Sequence, residues 1–256
     1  MAIGNFLYMI LSIFKISWLA LAWLDLIFLT TLLYALSFLP NKKTKIWYSH
    51  LFQYWCKIFV RGLGIDLKLH QHYLGTLPKT YILIGNHPSA AEDVCMPALF
   101  KAKFLAKIEV KDWWIVGRIG KAAGTLYVKR EEKSSRQEAS DMLINTLKSG
   151  HPVGIYPEGG CKGRRIFTPF RYGAFEISLK TGVPILPVFI YYEAQEDFEW
   201  HNQHLLQKLW MIVCSRNRTA HYIIFDPIYP EGFQSKEAFC THVQNLYLKW
   251  QEKYLI

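Results

Sequence analysis

Two short stretches combine residue types that can do chemistry. The first is Gly85-Asn86-His87-Pro88-Ser89-Ala90-Ala91-Glu92-Asp93. An imidazole titrates near neutrality and can take a proton there. A carboxylate beside it can fix its tautomer and stabilise the imidazolium. His87 precedes Pro88, and the residue before a proline is biased away from the helical conformation. The imidazole is therefore expected in a turn, folded toward Glu92, with Asp93 as the alternative carboxylate. The same residues admit a plainer reading: Ser89-x-x-Glu92 is a capping box, and both acids favour a helix N-terminus.

The second stretch is Ile155-Tyr156-Pro157-Glu158-Gly159-Gly160-Cys161-Lys162-Gly163-Arg164-Arg165. Glycines let a backbone approach a ligand closely. Glu158 is an acceptor for a hydroxyl, and Lys162, Arg164 and Arg165 offer positive charge. Pro169-Phe170-Arg171-Tyr172-Gly173 adds Arg171 at an expected helix start, where backbone N–H groups favour phosphate. Gly124–Arg130 reads as a strand ending in Lys129 and Arg130, and Val183–Val188 as an apolar run. Taken singly, a solvated basic loop and a core strand account for these features as well.

The elements that must hold these residues read as α/β. Ile65–Leu69 alternates like a half-buried strand, and Tyr81–Ile84 and Val153–Tyr156 suit buried strands. Each chemical stretch follows one of these runs, at the strand-end edge where open α/β sheets place ligands. Leu126–Val128, Pro184–Tyr192 and His221–Phe225 read as further strands. Helices are expected from near Ser89, over Ser135–Lys148 with a Ser135-x-x-Glu138 capping box, and over Gly173–Gly182. A final amphipathic helix carries Phe239, Val243, Leu246 and Trp250 on one face. Strands alternating with helices predict a largely parallel or mixed sheet flanked by helices.

Ahead of this domain, Asn5–Leu39 is apolar but for Lys15 and Asp25. At about 1.5 Å per residue, Ile16–Leu39 can span a hydrocarbon core of about 30 Å. The start has no charged side chain and no small-residue cleavage site follows, so a membrane anchor is expected rather than a signal peptide. It either crosses as one helix or dips in as two shorter ones meeting near Asp25, a residue costly in lipid. Lys42, Lys43 and Lys45 follow Pro40 and put that end, with the domain after it, on the cytoplasmic side. Trp47–Val60 reads as a helix lying on the membrane or docking on the domain. The expected division is an anchor with an interfacial helix over 1–62 and the α/β domain over 63–256.

Bulk composition agrees. A chain of 256 residues is long enough for one α/β domain plus a membrane segment. The net charge of +10 favours a polyanionic partner: nucleic acid, lipid headgroups or a phosphorylated substrate. Hydrophobic residues make up 51% and aromatics 16%, which suits a surface facing lipid. Much of the aromatic content sits in the apolar N-terminal third and gives no support to a nucleic-acid partner. The five cysteines are scattered without a C-x-x-C pair, so neither a zinc site nor a disulfide framework is expected.

Order and spacing together resemble the glycerolipid acyltransferase family typified by 1-acylglycerol-3-phosphate acyltransferase. That family's Asn-His block, closed by Asp after four residues, is matched by Asn86-His87 and Glu92, and its second block ends in an arginine that falls on Arg130. Its Phe-Pro-Glu-Gly-Thr and Pro-Phe-Lys-x-Gly are similar to Tyr156–Gly160 and Pro169–Gly173, and its Val-Pro-Ile-x-Pro-Val to Val183–Val188. Glu92, Gly160 and Cys161 stand where the family has Asp, Thr and often Arg. The resemblance implies transfer of a fatty acyl group from acyl-CoA or acyl carrier protein to a lysophospholipid hydroxyl, lysophosphatidic acid first among acceptors. It implies His87 as base, Glu92 or Asp93 as its partner, and Glu158 with Gly159-Gly160 placing the acceptor. Arg130, Arg164, Arg165 and Arg171 are then candidate phosphate ligands, and Lys162, Arg164 or Arg165 replaces the charge of the family's arginine. Neither cofactor nor metal is implied. Another lysolipid, a lyso-aminolipid or glycerol 3-phosphate stays open as acceptor. A lipase lacks support because no Gly-x-Ser-x-Gly elbow is present. A non-catalytic basic membrane module explains the anchor and the charge but not the histidine–carboxylate block.

Overall fold

The computed structural model describes the backbone of residues 2–39, 41–201 and 203–255, and the side chains of these except 2–13, 15–16 and 41–46. Past its first residues the N-terminal apolar segment has neither proline nor glycine, and it forms one unbroken helix, α1 (Ala2–Leu36). The alternative of two short helices meeting near Asp25 is thereby set aside. Within α1, Ser17–Leu36 is long and apolar enough to cross a membrane. The chain turns back as α2 (Asn41–Gly62), which runs antiparallel along α1. Tyr48 donates to the Leu33 carbonyl at 2.9 Å, Trp55 Nε1 donates to Thr30 Oγ1 at 2.8 Å, and the Arg61 guanidinium stacks on Trp18. Trp55, Cys56, Ile58 and Val60 are buried, so α2 docks on the domain. Pro40 and the side chains of Lys15, Lys42, Lys43 and Lys45, on which the side assignment rests, lie outside the described residues.

There follow β1 (Asp66–His72), β2 (Ile82–Gly85), α3 (Glu92–Leu99), β3 (Lys103–Lys107), α4 (Ile108–Lys111), α5 (Trp114–Ala123), β4 (Leu126–Val128) and α6 (Lys133–Lys148). Then come β5 (Val153–Ile155), α7 (Gly173–Thr181), β6 (Ile185–Tyr192), α8 (Gln195–Phe198), α9 (Leu205–Cys214), β7 (Thr219–Phe225) and α10 (Lys236–Tyr254). Among the described residues, seven strands form one sheet in the order β1-β7-β6-β2-β5-β3-β4. Neighbours are parallel except β6 and β7, so the sheet is mixed and mostly parallel.

The pleat sorts the core. Ile82 and Ile84 of β2 face one way with Ile185 and Phe189 of β6, under α6, α7 and α10. Leu83 faces the other way with Leu186, Val188 and Ile190, under α2, α3, α5 and α9, and α1 packs outside α2 and α5. Burial on both faces explains why β2, β5 and β6 read as continuous apolar runs.

Elsewhere local chemistry departs from expectation. α6 starts at Lys133, and the Ser135 hydroxyl accepts the Lys129 N–H at 3.0 Å; it secures the exit of β4 instead of capping the helix. β3 is unforeseen because lysines bound it, and α5 because Gly117 and Gly120 lower its helix propensity. Gly117 is nonetheless required: a methyl group there would stand 2.1 Å from the Lys111 carbonyl oxygen.

Candidate active site

The carboxyl end of β2 is pinned by a side chain. Asn86 Nδ2 donates to the Ile190 carbonyl at 2.8 Å, and Asn86 Oδ1 accepts the Ile190 N–H at 2.7 Å. Asn86 thus pairs with β6 as a peptide group would, and the main chain is released into a turn. Helix α3 begins at Glu92, not near Ser89, because Ser89–Ala91 form that turn, with Ser89 Oγ accepting the Ala91 N–H at 3.2 Å.

Glu92 Oε2 accepts the Ser89 N–H at 2.8 Å and lies 2.8 Å from His87 Nδ1. The Glu92 carboxyl group thus braces the turn through the Ser89 N–H and meets the imidazole with the same oxygen. Glu92 Oε1 accepts the Tyr192 hydroxyl. As an anion Glu92 only accepts, which places the proton on Nδ1 and leaves the Nε2 lone pair free. The Tyr156 ring stacks on one face of the imidazole with centroids 4.1 Å apart. Cys161 Sγ lies 3.2 Å from Nε2 and 3.5 Å from Nδ1, near-equal distances that place the sulfur over the opposite face. The thiol donates to the Ser89 carbonyl at 3.2 Å. Tyr156 also donates to the Glu92 carbonyl at 3.1 Å, linking the two strand-end stretches.

Burial disfavours charge on both members of the pair. It lowers the His87 pKa from its ordinary value, with Asp93 opposing and Arg130 reinforcing the shift. It raises that of Glu92 against the hydrogen bonds from Tyr192 and Ser89. The Cys161 thiol is pushed up by burial and by the Glu92, Asp93 and Glu158 carboxylates. A thiol so held is a poor nucleophile.

The two candidate carboxylates separate cleanly. Glu92 is fully buried at Nδ1, whereas the Asp93 side chain is 64% exposed with Oδ1 3.9 Å from Nε2, at the mouth. Glu158 is a correction to its expected place against the acceptor. Its Oε1 accepts the His87 N–H and its Oε2 the Phe167 N–H, both at 2.8 Å, and the side chain is buried behind the histidine. Burial raises its pKa to about 7 against those two amide bonds. It holds His87 by the backbone while Glu92 holds it by the ring.

The cations divide in the same way. Arg130 donates to the Gly159 carbonyl, which the left-handed backbone of Gly159 (φ 79°) turns toward it. A methyl group at Gly160 would stand 3.4 Å from Arg130 Nη1, and one at Gly159 3.4 Å from Arg171 Nε, so the two arginines flank this glycine pair. Arg164 is diverted: it donates to Glu199 at 2.6 Å. Arg165 is exposed, and Lys162 lies exposed over the Phe167 ring. Sequence reasoning missed Asn86, Tyr156 and Tyr192 as parts of the site. The first two lie inside the motifs, but nothing local marks Tyr192. Tyr192→Phe is expected to lower kcat about tenfold, the value of one hydrogen bond to a charged group, with KM and folding little changed. Steady-state kinetics alongside thermal denaturation check this.

A buried histidine–glutamate pair at the strand ends of an open α/β sheet is what this fold and site define. Residues 68–191 match the Acyltransferase family model, and that stretch contains His87, Glu92, Arg130, Glu158 and Arg171. Over that stretch the chain is similar to acyltransferases. It is 27% identical over 131 residues to 1-acyl-sn-glycerol-3-phosphate acyltransferase of Neisseria gonorrhoeae, a match covering 51% of this chain and 49% of that protein. The chain thus spans about half the length of that relative. It is 26% identical over 196 residues to lyso-ornithine lipid O-acyltransferase of Pseudomonas aeruginosa, covering 74% of each. The crystal structure of the 1-acyl-sn-glycerophosphate acyltransferase PlsC from Thermotoga maritima shares its fold, with a TM-score of 0.59 at 21% identity over 91% of this chain and 97% of that one.

Proposed function

We propose that the chain is a membrane-bound O-acyltransferase that moves a fatty acyl group from acyl-CoA or acyl carrier protein onto a lysophospholipid hydroxyl, with lysophosphatidic acid as acceptor. The observation that carries this reading is the buried His87 imidazole paired through Nδ1 with Glu92, together with a glycine pair flanked by Arg130 and Arg171 in the following strand-end loop.

Nε2 takes the acceptor's hydroxyl proton as the oxygen attacks the thioester carbonyl. The tetrahedral intermediate collapses, the C–S bond breaks, and the departing thiolate receives that proton from Nε2. Transfer is direct, since the Cys161 thiol is held protonated and donates to the Ser89 carbonyl. Arg130 and Arg171 hold the acceptor phosphate, and the exposed Arg165 and Lys162 meet the anionic donor. No cofactor enters these steps. The exposed face of α1 lies in lipid, and the domain sits on the cytoplasmic face, the side of the lysines that follow α1. A lyso-aminolipid acceptor is the second reading; the longer match to the lyso-ornithine lipid enzyme favours it.

The deciding test is acyl transfer by the full chain in detergent with lysophosphatidic acid and either donor, products being read by mass spectrometry. Phosphatidic acid supports the first reading, and product only from lyso-ornithine lipid supports the second. No product from any lysolipid removes both. Arg171→Ala is expected to raise the acceptor KM about tenfold with kcat nearly unchanged, the pattern of a lost ground-state contact.

A further inference from the structure

The link between β6 and β7 lies beyond the stretch that resembles acyltransferases, yet three consecutive residues in it each meet a different part of the site. Phe198 is fully buried, and its ring stacks on that of Tyr192 with centroids 4.1 Å apart; Tyr192 in turn donates to Glu92. Glu199 Oε1 accepts the Arg164 N–H at 3.1 Å, and its Oε2 accepts from Arg164 Nε at 2.6 Å, which ties the link to the loop after β5. The Trp200 N–H donates to the Pro88 carbonyl at 2.9 Å, which ties the link to the turn after β2, next to His87.

These residues are themselves held. The Glu199 N–H donates to the Gln195 carbonyl at 2.7 Å, and Lys208 of α9, fully buried, donates from Nζ to the Asp197 carbonyl at 3.1 Å. The Glu199 side chain is only 12% exposed, so its charge-assisted bonds are shielded from water. Gly163 has φ 88°, and a methyl group there would stand 2.6 Å from Glu199 Oε1; the loop gives up a side chain to admit the carboxylate. Between the two tied segments lies Cys161, over the His87 imidazole, with its thiol donating to the Ser89 carbonyl at 3.2 Å. The Lys162 N–H donates to the His87 carbonyl at 3.3 Å. Both contacts exist only while the turn and the loop keep their spacing. A link that grips one at Pro88 and the other at Arg164 fixes that spacing.

We propose that Glu199 and the Trp200 amide are a positioning clamp: together they hold the turn that carries His87 against the loop after β5, and so set the distance between the base and the basic loop. Neither touches substrate; each acts through the segment it grips. A displacement of about 1 Å at a reacting group costs up to about 10²-fold in rate, so a clamp of this kind is felt in the chemical step. The proposal deepens the reading of a lysolipid acyltransferase, and its kinetic part rests on that reading.

The test uses the full chain in detergent with the variants E199A, W200P and W200A. The last two lose the same ring and differ in the donor N–H. Glu199, at φ −55° and ψ 129°, already has the extended backbone that a residue before proline prefers. Alkylation by N-ethylmaleimide is followed cysteine by cysteine by mass spectrometry. Exposed Cys214 calibrates the reagent, and buried Cys56, Cys95 and Cys240 report opening of the whole fold. Cys161 is expected to react about tenfold faster in E199A than in wild type, and about tenfold faster in W200P than in W200A, while the three buried thiols stay protected. In the transfer assay, E199A against wild type and W200P against W200A are expected to lose about tenfold in kcat, with acceptor KM within about twofold. Equal Cys161 rates within both pairs overturn the clamp. Opening of the three buried thiols together with Cys161 marks a fold-wide loss and overturns it as well. Faster alkylation of Cys161 with kcat unchanged overturns the positioning role. If the wild type transfers acyl groups to no lysolipid, the functional reading falls, and the alkylation rates alone decide the clamp. If W200P does not fold, E199A decides it.

Discussion

His87→Ala is expected to cut kcat by about 10²- to 10⁴-fold, the range of a positioned general base, while the protein stays folded. Nothing else in the site can replace it. Asp93 is exposed at the mouth, Glu158 has both oxygens occupied by backbone amides, and Cys161 is held as the neutral thiol. The acceptor should still bind, because Arg130 and Arg171 are untouched. KM is then nearly unchanged, and the loss is in the chemical step. The wild-type pH profile carries the same argument. Only a neutral imidazole oriented by the Glu92 anion accepts the proton, so kcat/KM falls as the pair takes up a proton. Burial lowers the His87 pKa and raises that of Glu92 to about 8, so that proton goes to Glu92 first. A profile without this acid limb, or transfer by the alanine variant within about threefold of wild type, would sink the assignment.

Glu92→Gln is expected to cost nearly as much, about 10²- to 10⁴-fold in kcat, by turning the base around rather than removing it. The variant has one acceptor oxygen where the carboxylate has two. The Ser89 N–H and the Tyr192 hydroxyl compete for it, and the new amide donates toward Nδ1. The histidine then carries its proton on Nε2 and cannot act as base. Asp93→Asn serves as the contrast. Its carboxylate is exposed and touches neither Nδ1 nor the backbone of the turn, so an effect of no more than about tenfold is expected. Measured side by side, the two variants decide which carboxylate serves His87; equal losses would refute the separation read from the geometry. Glutamate suits this position because its longer side chain lets one oxygen reach Nδ1 and the Ser89 amide while the other meets Tyr192.

The dyad was legible in the sequence because its parts lie within one turn, where Pro88 forbids a helical His87 and so lets residues five apart meet. β2, β5 and β6 were legible for a similar reason: strands buried on both faces announce themselves by composition. Long-range geometry left no such trace. Tyr192 is separated from Glu92 by 100 residues, and only the parallel pairing of β6 with β2 brings it there. The direction of Glu158 was equally hidden, since Pro-Glu-Gly does not say whether the carboxylate faces the acceptor or the turn behind the histidine. Arg164 read as a free cation because its partner, Glu199, comes from a distant link.

The Glu158 carboxylate has a kinetic consequence. With one oxygen on the His87 amide and the other on the Phe167 amide, it stitches the turn after β2 to the loop after β5. Neither segment can fray without stranding a buried carboxylate, so the two open together as a single cooperative unit. Hydrogen exchange at these two amides then reports one shared opening free energy. His87 and the basic loop after β5 are assembled, and lost, in one event.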